Sequence, residues 1–215
     1  MSMSKKAKWG LVCAIIVLVL VLDQCLKIWI KTHMTIGESI PVMGSWFQLL
    51  FIENSGMAFG MAFGGTVGKL ILSLFRIGLS VFLGFYIARL IREKAPVGML
   101  IGVALIMVGA VGNIVDCAVY GLIFSESSPL AVATMFPEGG GYASFLHGKV
   151  VDMLYFPLID TTLPNWVPIW GGKDILFFRF IFNIADSAIT VGILYMLIFQ
   201  RKFFMKQPQA ASSIS

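Results

Sequence analysis

Residues 182–189 read Phe-Asn-Ile-Ala-Asp-Ser-Ala-Ile, inside an otherwise apolar run, 175–199. At ~1.5 Å of rise per residue that run is long enough to cross a bilayer. A carboxylate costs roughly 2.5–3.5 kcal/mol to insert at the centre of a span, so Asp186 marks a functional site by default. Asn183, three residues earlier, is expected on the same helical face. The same Asn-x-x-Asp spacing recurs in Gly112-Asn113-Ile114-Val115-Asp116, near the end of another apolar run. A third acid, Asp152, follows Val150-Val151 in the connection that leads back to Asp186.

The rest of the chain fits a membrane setting. Of 215 residues, 58% are hydrophobic and 13% charged, and the mean hydropathy is +0.90. So few charges leave too little polar surface for a water-soluble globule. The net charge of +5 reads as topology rather than as a nucleic-acid patch, because the basic residues flank the spans. Cys13, Cys25 and Cys117 lie in or beside apolar runs without a CxxC, which argues against a disulfide framework or a zinc site.

Four transmembrane spans are expected, at about 9–30, 68–88, 97–123 and 175–199. The first is preceded by Lys5, Lys6 and Lys8 and mimics a secretory signal. Asp23 and Gln24 stand where a cleavage site needs small residues, so the span is read as uncleaved. Asp23 and Lys27 are four apart near its end, in reach of one another as a paired surface charge. Between spans one and two, residues 31–67 carry two strand-like stretches, 39–42 and 46–52, and then a turn around Asn54, Gly56 and Gly60. The long loop 124–174 holds Asp152, Asp160 and Asp174. Residues 1–205 are expected to form a single membrane-embedded domain and 206–215 a disordered tail.

Basic residues orient the spans. Lys5, Lys6, Lys8, Arg89, Arg92, Lys94, Arg201, Lys202 and Lys206 flank one side. The much longer opposite connections hold Lys27, Lys31, Lys149 and Lys173, while Lys69, Arg76 and Arg179 lie within spans. The positive-inside rule puts both termini in the cytoplasm. Asp23, Asn113, Asp116, Asn183 and Asp186 then share the outer half of the bilayer, which describes one polar pocket under the two external connections.

Two carboxylates held close share a proton, so one can take a proton from water while the other donates to the substrate. Asp186 and Asp152 are the candidates for such a pair. A zinc protease is excluded by having only His33 and His147 and no HExxH. An intramembrane serine protease lacks a histidine on a span to serve Ser55 or Ser187, and a Gly-x-Gly-Asp pattern is absent. Two other classes remain: a small proton-coupled transporter using the same carboxylates, and a structural protein that uses Asn and Asp only to pair helices.

Five motifs, in order, resemble those of the bacterial lipoprotein signal peptidases. They are Asp23-Gln24-x-x-Lys27, Glu53-Asn54-x-Gly56-x-Ala58-Phe59, Gly112-Asn113-x-x-Asp116, Val150-Val151-Asp152 and Phe182-Asn183-x-Ala185-Asp186-Ser187. The resemblance implies a polytopic helical fold with a small extracytoplasmic β-cradle. It implies Asp152 and Asp186 as the catalytic pair, with Asn54, Asp23, Lys27, Gly56, Asn113, Asp116, Asn183 and Ala185 binding substrate or bracing the site. It further implies a monomer in the bacterial inner membrane, working without metal or other cofactor near the periplasmic face. Its substrates would be diacylglyceryl-modified prolipoproteins, cut on the amino side of the lipidated Cys. Two departures stand out. Cys117 occupies the place where the family usually has Arg, leaving Arg76 or Arg179 to serve Asp116, and 123–148 and 159–173 look like insertions around Asp152.

Overall fold

The structure, a computed structural model, describes residues 3–55, 65–157, 159–162, 164–166, 168, 171–177 and 180–205. Gly56, Ala58, Phe59, Gly60, Arg179 and the tail lie outside the described residues. Contacts divide the chain into two units, one of 1–24, 64–115 and 184–215, the other of 25–63 and 116–183.

The first unit is helical. It holds the start of α1 (Lys5–His33), α2 (Gly65–Arg92), α3 (Val97–Val115), α5 (Ile184–Phe199) and the short α6 (Arg201–Met205). Three helical stretches, Lys5–His33, Val67–Arg92 and Val97–Ile123, are long and apolar enough to cross a membrane, and Ile184–Phe199 is a shorter apolar helix. Val12, Leu83, Ile87, Leu90, Met99, Leu100 and Val103 form the buried core. Large apolar side chains such as Leu18, Phe75, Phe82, Phe85, Leu194 and Ile198 face outward. An apolar surface on that scale is what lipid contact requires. Helices α3 and α5 approach so closely that a Cβ on Gly109 would collide with the Ala185 carbonyl oxygen and the Ile189 side chain. Small residues at such crossings let helix backbones pack by dispersion where water supplies no driving force.

The second unit is built on an antiparallel sheet in the order β1-β2-β3-β6, with β1 Ser39–Met43, β2 Phe47–Asn54, β3 Val150–Tyr155 and β6 Ile181–Phe182. Phe51, Val151 and Met153 from this sheet pack with Ile30, Met34, Tyr120 and Phe124 into a second core. Aromatic rings line one end: Phe47 stacks on Phe156 at 4.6 Å, and Phe156 on Phe182 at 5.8 Å. A separate hairpin pairs β4 (Ile159–Thr162) with β5 (Asp174–Phe177). After α3 the chain makes one π-helical turn, Asp116–Tyr120, and ends in α4 (Gly121–Ile123). Residues 124–149 follow without strand or helix, apart from one bridge between Phe124 and Met135.

The two expected strands form β1 and β2, each with slightly different ends. The expected fourth span is corrected. Residues 175–177 and 181–182 are strands, and the helix starts only at Ile184. The reason lies in Ile175-Leu176-Phe177 and Phe180-Ile181-Phe182, aromatic and β-branched stretches that suit a pleated sheet as well as a span. Hydropathy alone does not separate the two.

The α3–α5 crossing yields a test. Gly109→Val should cost about 1–3 kcal/mol through overpacking. Gly78→Ala, on an exposed face of α2 with nothing within 4 Å of the added Cβ, should instead gain roughly 0.5–1 kcal/mol. Thermal unfolding in detergent distinguishes the two; equal effects would remove the close-approach argument.

Candidate active site

Asp186 lies in the first turn of α5, half-buried, where a carboxylate also meets the positive end of the helix dipole. Asn113, buried on α3, donates from Nδ2 to Asp186 Oδ1 at 2.8 Å. The first turn of α5 is capped from another helix: the Ala185 N–H donates to Asp23 Oδ1 at 2.9 Å. Gln24 steadies that cap, giving its amide to Asp23 Oδ2 at 3.1 Å and to the Gly112 carbonyl at 3.2 Å. An acceptor on Asp23 satisfies a backbone donor that α5 cannot satisfy itself. Asp23 is therefore buried structure rather than a surface charge, and Ala185 serves through its backbone.

In the other unit, Asp152 projects from the middle of β3 and is 6% exposed. Asn183, fully buried, donates from Nδ2 to Asp152 Oδ1 at 2.7 Å and to the Val151 carbonyl at 3.3 Å. Asn183 precedes α5, so the expectation that it shares a helical face with Asp186 is corrected. Val151 is held from its amide side as well, because its N–H donates to Asp116 Oδ2 at 3.2 Å. The same oxygen receives the Lys27 ammonium at 2.8 Å, with both side chains at 0% exposure. The register of β2 on β3 sets Ile52 opposite Asp152 and Asn54 opposite Val150.

Lys27 is fully buried and supplies a cation to Asp116. Asp116 therefore has a cation although its neighbour is Cys117, and Arg179 lies outside the described residues. Cys117 is buried, and its carbonyl accepts the Gly148 N–H at 2.8 Å. A Cβ on Gly148 would collide with the Asp116 carbonyl, so the chain entering β3 lies directly on the π-helical turn.

The sequence reading missed a second buried polar cluster, in which Lys31 near the end of α1 and Lys149 before β3 are structural. Lys31 forms an ion pair with Glu53 and donates to Ser127 Oγ at 2.7 Å, while Ser127 donates to Glu53 Oε1 at 2.9 Å. Lys149 lies 3.2 Å from Glu53 Oε2 and 3.3 Å from Glu126 Oε1. The contact with Oε2 is an ion pair without hydrogen-bond alignment, since that oxygen has no hydrogen-bond donor. The Tyr142 hydroxyl accepts the Lys149 N–H at 2.7 Å, and its ring lies under both ammonium groups, at 4.9 Å from Lys31 and 5.3 Å from Lys149. Burial pushes the Tyr142 hydroxyl well above its ordinary range. Glu53 neighbours Asn54 and pairs with Val151 in register, so this cluster fixes the segment that carries both. One signal was available: Lys31 follows Lys27 by four residues and so extends the same buried stripe of α1.

Among the described residues no three His, Cys, Asp or Glu side chains gather into a metal-binding group. A family model described as signal peptidase II matches residues 15–202. The chain belongs to the signal peptidase II family. A lipoprotein signal peptidase of Porphyromonas gingivalis is 46% identical over 197 residues, 91% of this chain and 85% of the relative. One from Amoebophilus asiaticus is 35% identical over 90% of this chain and 78% of the relative. One from Pelodictyon phaeoclathratiforme is 32% identical over 89% and 90%. A solved bacterial membrane enzyme, 23% identical, shares the fold with a TM-score of 0.60 over 93% of both chains. The aligned region of this signal peptidase II family chain spans every residue of the two sets above.

Two predictions follow from the burial of these groups. Lys27→Met should cost about 3–5 kcal/mol, because it removes the ammonium paired with a fully buried Asp116 carboxylate. Lys27→Met/Asp116→Asn should cost clearly less than the sum of the two single variants in a detergent unfolding cycle. The second concerns pH. Burial pulls the Lys149 ammonium down, but Glu53 and Glu126 more than offset that and hold it above its ordinary 10.5. A raised folded-state value contributes stability fully present below the unfolded pKa and lost as pH rises through the folded one. Stability should therefore fall at alkaline pH from about 10.5 upward, and Lys149→Met should flatten that fall in thermal scans.

Proposed function

We propose that this chain is a membrane aspartic endopeptidase that removes the signal peptide from diacylglyceryl-modified prolipoproteins, cutting on the amino side of the lipidated Cys. The observation that carries this reading is the match to the signal peptidase II family across 15–202, joined to a pair of acids each braced by an asparagine amide. Asp152 and Asp186 act together. One takes a proton from water as it attacks the scissile carbonyl, and the other gives a proton to the departing amine. Such a pair titrates as a unit. An amide N–H on one oxygen of each carboxylate, from Asn183 and from Asn113, fixes the rotation of the carboxyl group. That removes reorganisation from the chemical step.

Around this pair, Asp23 and Ala185 set the start of α5, and Lys27 and Asp116 set the height of β3. Asn54 at the end of β2, with Gly56 after it, would bond the substrate backbone or lipid near the scissile bond. The exposed Val42, Met43 and Trp46 at the β1–β2 turn would lie among lipid acyl chains and headgroups. The chain would cross the inner membrane four times, with α5 and α6 together making the fourth crossing. Both termini would be cytoplasmic, the site would lie at the periplasmic side, and residues 1–205 would work as one monomeric peptidase domain. The reaction needs no metal on this reading. A proton-coupled transporter using the same carboxylates has no observation in its favour, since the family is one of peptidases.

The test is cleavage of a purified lipidated prolipoprotein by the purified chain. Asp152→Asn and Asp186→Asn should each reduce turnover to background while retaining the wild-type unfolding temperature. Because the two act as one unit, the double variant should be little worse than either. Near-normal turnover by either single variant would sink the pair.

A further inference from the structure

Lys8 is 7% exposed, yet among the described residues its ammonium has one hydrogen-bond partner, the Ala95 carbonyl at 2.6 Å. An ammonium carries three donors and a full charge, and burying it without an anion is costly. Among the described residues no carboxylate forms an ion pair with Lys8, Lys5 or Lys94. These three lysines, with Met3, Ser4 and Ile91, line a cavity of about 270 Å3 that has no acidic residue in its wall.

The surrounding backbone explains why the cavity is built there. Helix α2 ends in a two-bond C-terminal motif: Ala95 N–H donates to the Leu90 carbonyl at 2.9 Å and Lys94 N–H to the Ile91 carbonyl at 3.3 Å. Lys94 takes the left-handed position of that motif, with φ +56°, where glycine is usual. Instead of a bare glycine, the turn carries a cation beside the start of α1. The Ala95 carbonyl, turned outward by the same motif, holds Lys8. Ser4 opens α1, accepting the Ala7 N–H on Oγ at 3.2 Å, so the positive end of a 29-residue helix adds to the three cations.

We propose that this cavity binds a phosphate ester, specifically the headgroup of an anionic phospholipid. The shape and chemistry agree on that ligand. The cavity sits where one bilayer-length helix starts and another ends, which is headgroup depth. Its wall is basic on one side and apolar, through Met3 and Ile91, on the other. Trp9, one turn further along α1, is exposed as interfacial tryptophans are. The anion completes the partners of the Lys8 ammonium and ties α1 to the α2–α3 turn. This site stands apart from the peptidase residues and does not depend on their assignment.

The experiment compares phosphatidylglycerol with phosphatidylcholine of the same acyl chains, by native mass spectrometry and by unfolding temperature in nanodiscs. The wild type should retain phosphatidylglycerol preferentially and unfold at a higher temperature in discs that contain it. Lys5→Gln and Lys94→Gln should each weaken that preference ~5-fold, and the double variant ~25-fold. Prolipoprotein cleavage per folded molecule should be unchanged. Lys6→Gln/Lys202→Gln, at exposed positions outside the cavity, should leave the preference within about 2-fold. An equal loss in that control would make the effect bulk surface charge and overturn the site. So would equal retention of both lipids by the wild type. Stabilisation of the detergent-solubilised protein by glycerol 3-phosphate alone, without lipid, would overturn the lipid as the source.

Discussion

A carboxylate taken out of water must be met by donors or by a cation, and the internal order of this chain follows from meeting that demand repeatedly. Asp116 receives Lys27 and a backbone N–H; Asp23 receives the first turn of α5 and a glutamine amide; Asp152 and Asp186 each receive an asparagine amide. These acids are met because an unmet buried acid would cost more than a typical hydrogen bond returns. The same contacts settle where backbone segments lie. Val151 is gripped on its N–H by Asp116 and on its carbonyl by Asn183, so Asp152, the next residue, has little freedom.

The neutral amide partners of Asp152 and Asp186 differ in kind from the ammonium on Asp116. A fixed cation beside a carboxylate holds it ionised, which suits a strut. An asparagine amide orients a carboxylate without supplying a charge. On the proposed mechanism, two acids that exchange a proton during each turnover are better served by the second arrangement.

The acids were legible because charged residues in apolar runs are costly enough to stand out, and spacing placed three of the helices well. Their partners were less legible. Asp23 and Lys27 are four apart and suggested a surface pair, but both are buried, and Lys27 also reaches Asp116 from 89 positions away. Asn183 and Asp186 are three apart and suggested one helical face, yet the strand β6 runs up to Asn183 and the helix starts after it. Short apolar stretches such as 175–182 carry no periodicity that separates a strand from a span. The Glu53 cluster was illegible for a related reason. Lys31 and Lys149 lie 118 positions apart, and nothing in either neighbourhood announces that both meet one carboxylate.

Cys117 sits at a tight contact, and a cation for its neighbour Asp116 comes from a distant residue. The position could have held a cation for Asp116, but the chain entering β3 passes over the π-helical turn so closely that Gly148 has no room for a side chain. The Gly148 N–H is spent on the Cys117 carbonyl, and Cys117 itself is buried. A small, weakly polar side chain fits that contact, whereas a guanidinium there would need both volume and solvation. Lys27, one helical turn before Lys31, supplies a cation to Asp116 from a distant part of the chain. The electrostatic requirement is fixed by the buried acid, and the residue that meets it is free to come from wherever packing leaves space.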